Sequence, residues 1–369
     1  MLEKFRIKNE DTVLVEPGIL RATVSSIFRK LGVDAEDSEL GADVLVSADL
    51  RGVDSHGVSN QLRSYVRGYQ EGRINPTPNW EIIRESPSTA TIDCDSGLGI
   101  ILTPKAMDIA VQKAKITGVG MVTMRNSRHL GMAAYHAMRA LKFDLIGLCM
   151  SATATPLVLP TFGQEARLGT NPISIAVPAG KEQPFVLDMA TSSIAANKIQ
   201  LAKRLGIELS GGWIAEPNGN PIMDRTPAPE IKAGPGGTGY PPVLLPLGST
   251  RDMGSQKGYG LGCMVEILCA ILSGGGFSLM GSRDHYKHMV AAYDIEAFTP
   301  LNEFKETMDE FLTSLKTSKP AEGQTRVMVP GQPEFEEEAK RLSQGIPLHV
   351  EVVTWFHTTC NELKVECLF

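Results

Sequence analysis

Between residues 80 and 205, short runs of aliphatic and β-branched residues alternate with longer stretches of helical spacing, and no other feature limits the fold as tightly. The runs "TATID" (89–93), "GVGMVTM" (118–124), "DLIGLCM" (144–150), "ISIAVP" (173–178) and "FVLDM" (185–189) predict strands, with helices over 104–116, 131–141 and 192–204 between and after them. Such alternation specifies a mixed α/β layered fold. A helical segment is expected ahead of it. Leu20, Val24, Ile27, Phe28 and Leu31 recur at helical spacing behind Pro17, and a second helix is expected over 36–50. A third follows "DSHG", with Leu62, Tyr65, Val66 and Tyr69 as its apolar side. "INPTPN" (74–79) ends this pattern, because two prolines so close together cannot continue a helix. The expected division is a helical part over 1–78, an α/β part over 79–301, and a mostly helical tail over 302–369 packed with the first part. Residues 214–247 read as a long Pro- and Gly-rich connection, and 261–272 as a strongly apolar helix.

Of the 369 residues 42% are apolar and 21% charged, enough for a sizeable core. A net charge of −6 excludes the clustered basic excess of a nucleic-acid-binding surface, while leaving room for a locally basic site that takes a small anion. No apolar run approaches the roughly 18 residues of a spanning helix. The N-terminal stretch carries charges throughout and does not read as a signal peptide. Six scattered cysteines without a CxxC pair read as reduced thiols. A soluble cytoplasmic protein with neither membrane nor nucleic-acid partners is expected.

Several short motifs carry chemistry. In "RGVDSHGVS" (51–59), Asp54 or Ser55 is a candidate N-cap, and His56 falls in the first turn of the third helix. The positive end of the helix dipole favours a neutral imidazole there, suited to taking a proton from an alcohol. Arg63 and Arg67 downstream are placed to clamp a carboxylate. The plain alternative is a helix start that happens to hold a histidine. In "RNSRHLG" (125–131), His129 with Asn126 and Ser127 follows a strand, where α/β layers place their ligands; a solvated turn is the rival reading. His136 reads as structural. Asp188, between Val186, Leu187 and Met189, is expected to be buried with a histidine or backbone N–H as partner, in a catalytic or a structural role. "GSQKGYGLG" (254–262) runs into an apolar helix, so Lys257 and Gly258 are candidates for a phosphate contact, against simple close packing by the glycines. "GPGGTG" (234–239) lacks the strand and helix that a dinucleotide loop needs. "HYKH" (285–288) has the spacing of two ligands on a helix face but no further ligand nearby, so no metal site is expected.

Taken in order, "DSHGVS", "RNSRHLGMAAYHA", "RLGTNPISIAVPAG", "FVLDMATSSIAANKI", "LLPLGS", "KGYGLGCMVEIL" and "RVMVPGQPEFEEE" resemble the malate/L-lactate dehydrogenase family over roughly residues 15–345. That family also includes ureidoglycolate and sulfolactate dehydrogenases and cyclic imino acid reductases, and is distinct from the Rossmann-type lactate and malate dehydrogenases. The resemblance implies a non-Rossmann, mixed-sheet NAD(P)-binding α/β fold with an accompanying helical domain, and a homodimer. It also implies NAD- or NADP-dependent hydride transfer to or from a small 2-hydroxy or 2-oxo acid. His56 then looks like the general acid/base, assisted by Ser55 and Asp188, and His129 like a second active-site histidine; either of the two carries the proton. Thr153, Asp188, Met189, Ala190, Lys257 and Gly258, together with His129, fall in segments that the family uses around the cofactor. One departure concerns the substrate. Many members have an arginine four residues after the "SHG" histidine, where this chain has Asn60, and Arg63 is the nearest arginine to hold the carboxylate. Asn60 and Thr153 stand with Arg63 as candidate substrate contacts. Reduction of a cyclic imino acid on the same scaffold is the alternative activity, and a non-catalytic small-molecule binder the remote one.

Overall fold

A computed structural model describes residues 3–229, 243–280 and 285–369. The "GPGGTG" stretch lies outside the described residues, as do residues 282–284 of the "SRDHYKH" segment. The main element is a seven-stranded mixed sheet in the order β2 (Glu81–Glu85), β3 (Thr89–Asp93), β4 (Val119–Ser127), β12 (Tyr286–Tyr293), β5 (Ile146–Ala152), β6 (Ile173–Val177), β7 (Phe185–Met189). Among the described residues, β3 and β4 alone pair in parallel in this sheet, and its other pairings are antiparallel. Because β12 runs against both of its neighbours, and β6 against both of its own, β3, β4, β5 and β7 all point the same way. Their carboxyl ends therefore share one edge of the sheet, where loops are free to carry ligand contacts. This is not the all-parallel sheet of a Rossmann domain.

Two helices, α4 (Gly99–Thr117) and α5 (Ala133–Met138), cover one face of the sheet. The other face is covered by α7 (Ser255–Val265) and the π-helical segment Glu266–Ile271 that continues it. Val265, Cys269 and Ala270 pack there with Met150, Met289 and Ala291. The helices α1 (Pro17–Lys30), α2 (Ala35–Leu50) and α3 (Arg63–Gln70) pack outside α4, in one continuous core with it. The tail closes back on this helical group. β1 (Thr12–Val15) pairs with β13 (Ile346–His349), α9 (Gln332–Gln344) lies against α2, and α10 (Val350–Leu363) against α1; α8 (Leu301–Lys316) completes the tail. Beyond β7, α6 (Ala196–Leu205) is followed by the two-residue strands β8 (Glu208–Leu209), β9 (Ile214–Ala215), β10 (Thr226–Pro227) and β11 (Val243–Leu244), three of them within the segment expected to be irregular.

The structure corrects three local expectations. "HYKH" runs into the central strand β12 and lies on no helix. The helix expected over 261–272 begins at Ser255, so Gly258, Gly260 and Gly262 lie inside it, not ahead of it. The third helix opens with a π-turn (Val58–Leu62), and no side chain of "DSHG" caps it.

Arg341 on α9 ties the tail to α2. Its Nη1 donates to Asp54 Oδ1 at 2.6 Å and to the Asp49 carbonyl at 2.5 Å, while its Nε donates to Glu337 Oε1 at 2.8 Å. The residue is 3% exposed, and removing one partner of a buried ion pair leaves the other desolvated without compensation. Arg341→Ala is expected to lower unfolding stability by about 3–5 kcal/mol, measured by chemical denaturation; a loss within the scatter of surface substitutions would show that this tie is not structural.

Candidate active site

The loop that carries His56 is shaped from beneath by Asp49. Its carboxyl group, fully buried at the end of α2, accepts the Val58 N–H at 2.7 Å. A Cβ on Gly57 would lie 1.9 Å from Asp49 Oδ1, so only glycine fits at this position. Asp49 thus does the capping expected of Asp54 or Ser55. Asp54 goes to Arg341, and Ser55 Oγ lies 2.9 Å from His56 Nδ1. His56 precedes the helix instead of sitting in its first turn, and burial lowers its pKa to about 4, aided by the nearby charge of Lys198. The imidazole is neutral near pH 7 because it is desolvated, not because of the dipole.

His129 leaves the end of β4 and meets this loop. Its ring stacks on that of His56 with centroids 5.8 Å apart and planes 15° apart, and Tyr286 of β12 packs edge-on at 5.4 Å. Nδ1 of His129 accepts the Gly131 N–H at 3.2 Å and lies 2.7 Å from the Tyr65 hydroxyl. Burial holds the Tyr65 phenol well above its usual range, so Tyr65 donates and Nε2 of His129 carries the ring proton. Burial, followed by the neighbouring His56, His288 and His136, keeps His129 well below the ordinary histidine value. His288, whose pKa burial lowers to about 3, has both nitrogens occupied: Nδ1 by Ser151 Oγ at 2.9 Å and Nε2 by the Arg128 carbonyl at 3.0 Å. It fixes the backbone beside His129 and has no nitrogen left for a metal.

Three cavities meet at these two histidines. The smallest, about 260 Å³, is lined by both of them with Thr153, Thr155, Tyr286 and Gln200. His129 also borders a cavity of about 470 Å³ whose lining, among the described residues, carries Arg63, Arg67, Arg73, Arg128 and Arg204 and no carboxylate. His56 also borders a cleft of about 620 Å³ walled by Ser55, Asp188, Met189, Ala190 and Lys198, with the small side chains Ala133, Ala134, Ser192 and Ser193.

The remaining expected residues fall as follows. Asp188 faces the large cleft and is exposed there, contrary to the expected burial. Its strand β7 is at the edge of the sheet, and beyond it the segment 328–331 is held by a hydrogen bond from the Val186 N–H to the Pro330 carbonyl. Oδ2 of Asp188 accepts the Ala134 N–H at 2.7 Å, which makes a backbone N–H its partner and not a histidine. Desolvation raises its carboxyl to about 7 against the lowering effect of the Ala134 N–H, with Glu334 adding to the rise and Arg51 opposing it. Thr153 lines the smallest cavity, but its hydroxyl is packed against Gly169 and has no partner among the described residues. Asn60 and Arg63 line the arginine cavity; the Arg63 guanidinium lies 5.1 Å from the Trp355 ring and pairs with Glu351. Gly258 packs against the Leu247 backbone, Lys257 is exposed, and neither lines these three cavities. Sequence reasoning misses Tyr65 as a histidine partner, and also Lys198, Arg204 and Tyr286. Periodicity registers Tyr65 only as an apolar helix position, and the others mark no recognisable site pattern.

The large cleft fits a nicotinamide ring. Ala133, Ala134, Ser192 and Ser193 are small and leave space for a flat ring beside His56, and Arg51, Lys198, Asp188 and Glu334 supply polar and charged groups around it. The Malate/L-lactate dehydrogenase family matches residues 15–356. The chain is 39% identical to the malate dehydrogenase of Pyrococcus horikoshii over all of both chains, and 36% identical to the L-sulfolactate dehydrogenase of Methanocaldococcus jannaschii over 95% of this chain and 97% of that one. The solved structure of the Pyrococcus horikoshii enzyme covers 98% of each chain with a TM-score of 0.86 and 37% identity. The delta1-piperideine-2-carboxylate reductase of Pseudomonas syringae, at 22% identity and a TM-score of 0.78 over 94% of this chain and 100% of that one, shares the fold. Fold and site define a nicotinamide-dependent hydroxy acid dehydrogenase, an oxidoreductase that acts on CH–OH donors. The chain belongs to the malate/L-lactate dehydrogenase family.

Replacing Asp188 by Asn tests the raised carboxyl. Desolvation raises the native carboxyl to about 7 against the ordinary 3.8, so ionisation opposes folding increasingly as pH rises between these values, an effect that solvent at its exposed side reduces in size. Asp188→Asn should therefore raise the melting temperature at pH 8, with the gain shrinking as pH falls toward about 4. A gain that does not vary with pH would show that the carboxyl is not shifted.

Proposed function

We propose that this dehydrogenase acts on a small 2-hydroxy acid bearing a second anionic group, of the malate or sulfolactate type, with NAD or NADP. The observation that carries this reading is the arginine-lined cavity opening on His129, without a carboxylate among its described lining residues. One arginine suffices for a lactate-like acid; several suit a dianion. Nicotinamide bound in the large cleft supplies the hydride chemistry, and the chain supplies orientation and proton handling. With Nδ1–H donating to Ser55 Oγ, Nε2 of His56 presents a lone pair that takes the C2 hydroxyl proton during oxidation and returns it during reduction. His129, already protonated on Nε2, donates a hydrogen bond to the same oxygen. The Arg63 guanidinium stands in the cavity as a carboxylate contact beside Asn60.

The helical frame of residues 1–78 with 302–369 carries the His56 loop, and 79–301 carries most of the cofactor cleft, which the frame completes with Arg51, Ser55, His56 and Glu334. A homodimer is supported by the apolar stripe Met264, Ile267, Ile271 and Leu272, exposed along one side of α7 and its π-helical continuation. A cytoplasmic location is supported by six free cysteines.

His56→Ala should cut turnover by about 10²–10⁴-fold, the usual worth of a positioned acid/base group, with nicotinamide binding retained. The assay is a panel of oxaloacetate, sulfopyruvate, pyruvate and a cyclic imine with NADH and NADPH. The highest kcat/KM is expected for a dianionic 2-oxo acid; preference for the cyclic imine, or undiminished turnover in His56→Ala, would reverse this reading.

A further inference from the structure

Within the arginine cavity one guanidinium has different surroundings from the rest. Arg204, near the end of α6, reaches the π-turn that follows His56. Its Nη1 donates to Asn60 Oδ1 at 3.1 Å, its Nη2 to the Ser59 carbonyl at 3.0 Å, and its Nε faces Glu351 Oε2 at 3.2 Å. A guanidinium has five N–H donors. Three are engaged, and the two left on the terminal nitrogens have no partner among the described residues. The side chain is only 16% exposed, and Glu351 is shared, since its other oxygen pairs with Arg63. Burial lowers the pKa of Arg204 below its ordinary value, Glu351 opposes this, and Arg63 adds to it. A guanidinium stays charged under such conditions, so Arg204 is a held cation that must share the carboxylate beside it.

Asn60 makes the arrangement work. Its carbonyl oxygen accepts from Arg204 while its Nδ2 donates to the Asn197 carbonyl at 3.3 Å, so a neutral side chain on the His56 loop fixes a cation that arrives from α6. A cationic side chain at position 60 would repel that guanidinium. Asn197 and Gln200, both on α6, line the arginine cavity and the smallest one alike, which joins Arg204 to the space between the histidines.

The geometry points to Arg204 as the residue that selects substrates by their second anionic group. The far carboxylate or sulfonate of the hydroxy acid docks on the two uncommitted N–H groups, while the C2 oxygen lies at His56 and His129. This rests on the dehydrogenase reading given above. Charge-assisted pairing through a planar fork has a defined geometry, so a neutral or point-charge replacement loses it to different extents.

The test compares oxaloacetate with pyruvate in the unaltered chain, Arg204→Gln and Arg204→Lys. In Arg204→Gln the ratio of the two kcat/KM values is expected to fall by about 10–150-fold, mainly through the KM for oxaloacetate. Arg204→Lys, which keeps the charge without the fork, is expected to retain part of the preference. The same ordering should appear without turnover, as a smaller rise in melting temperature on adding malate relative to lactate. Equal losses on both acids, or an unchanged ratio in Arg204→Gln, would overturn the selecting role while leaving the dehydrogenase reading intact. Absence of turnover on every 2-oxo acid by the unaltered chain would overturn that reading, and this inference with it.

Discussion

Asp49 is the point on which the rest of the site depends. One carboxyl oxygen takes the Val58 N–H, Gly57 lies against the same carboxyl group, and the Asp49 carbonyl is gripped by Arg341 from the tail. Burial and the nearby Asp54 push the Asp49 carboxyl well above its usual range, so the group favours its neutral form. A single buried residue thereby sets where the third helix starts, where His56 leaves the chain, and how the tail is tied to the first helices. The approach at Gly57 is so close that any side chain there would push the His56 loop off its support.

The sheet positions the opposite wall. Shared strand direction brings His129 after β4, Thr153 after β5 and Asp188 at the end of β7 to one edge, while β12 enters the same edge with Tyr286. The helical loop then lowers His56 onto His129. Each of the three cavities has its own electrostatic character: basic around the arginines, mixed in charge around Asp188, Arg51, Lys198 and Glu334, and uncharged between the histidines. Hydride and proton leave one carbon–oxygen unit in different directions, and a site divided in this way gives each its own surroundings.

Much of the framework is legible in local sequence. The strands at 89–93, 173–177 and 185–189 are contiguous runs whose composition admits little else, and the two histidine motifs point to residues that the fold stacks ring on ring. Local reading fails where a distant residue does the work. It misplaces the start of the third helix because the cap, Asp49, stands nine residues before Val58, inside the previous helix. It misses β12 because the opening residues of that strand are polar, and only the fold shows that His288 is satisfied by Ser151 and a backbone carbonyl. Periodicity counts Tyr65 as apolar and has no means of registering its hydroxyl. Arg204 is invisible to it because it meets Asn60 across 144 residues, and a basic residue at the end of a helix is unremarkable anywhere.

The stacked imidazoles have one more consequence. Two rings 5.8 Å apart, both largely enclosed by protein, resist charging together, because a proton on either raises the cost of a second. The pair therefore rests neutral near pH 7 and takes up protons one at a time. The hydrogen bonds at each Nδ1, with Ser55 on one side and with Tyr65 and Gly131 on the other, bias which ring charges first, so the site changes charge in single steps.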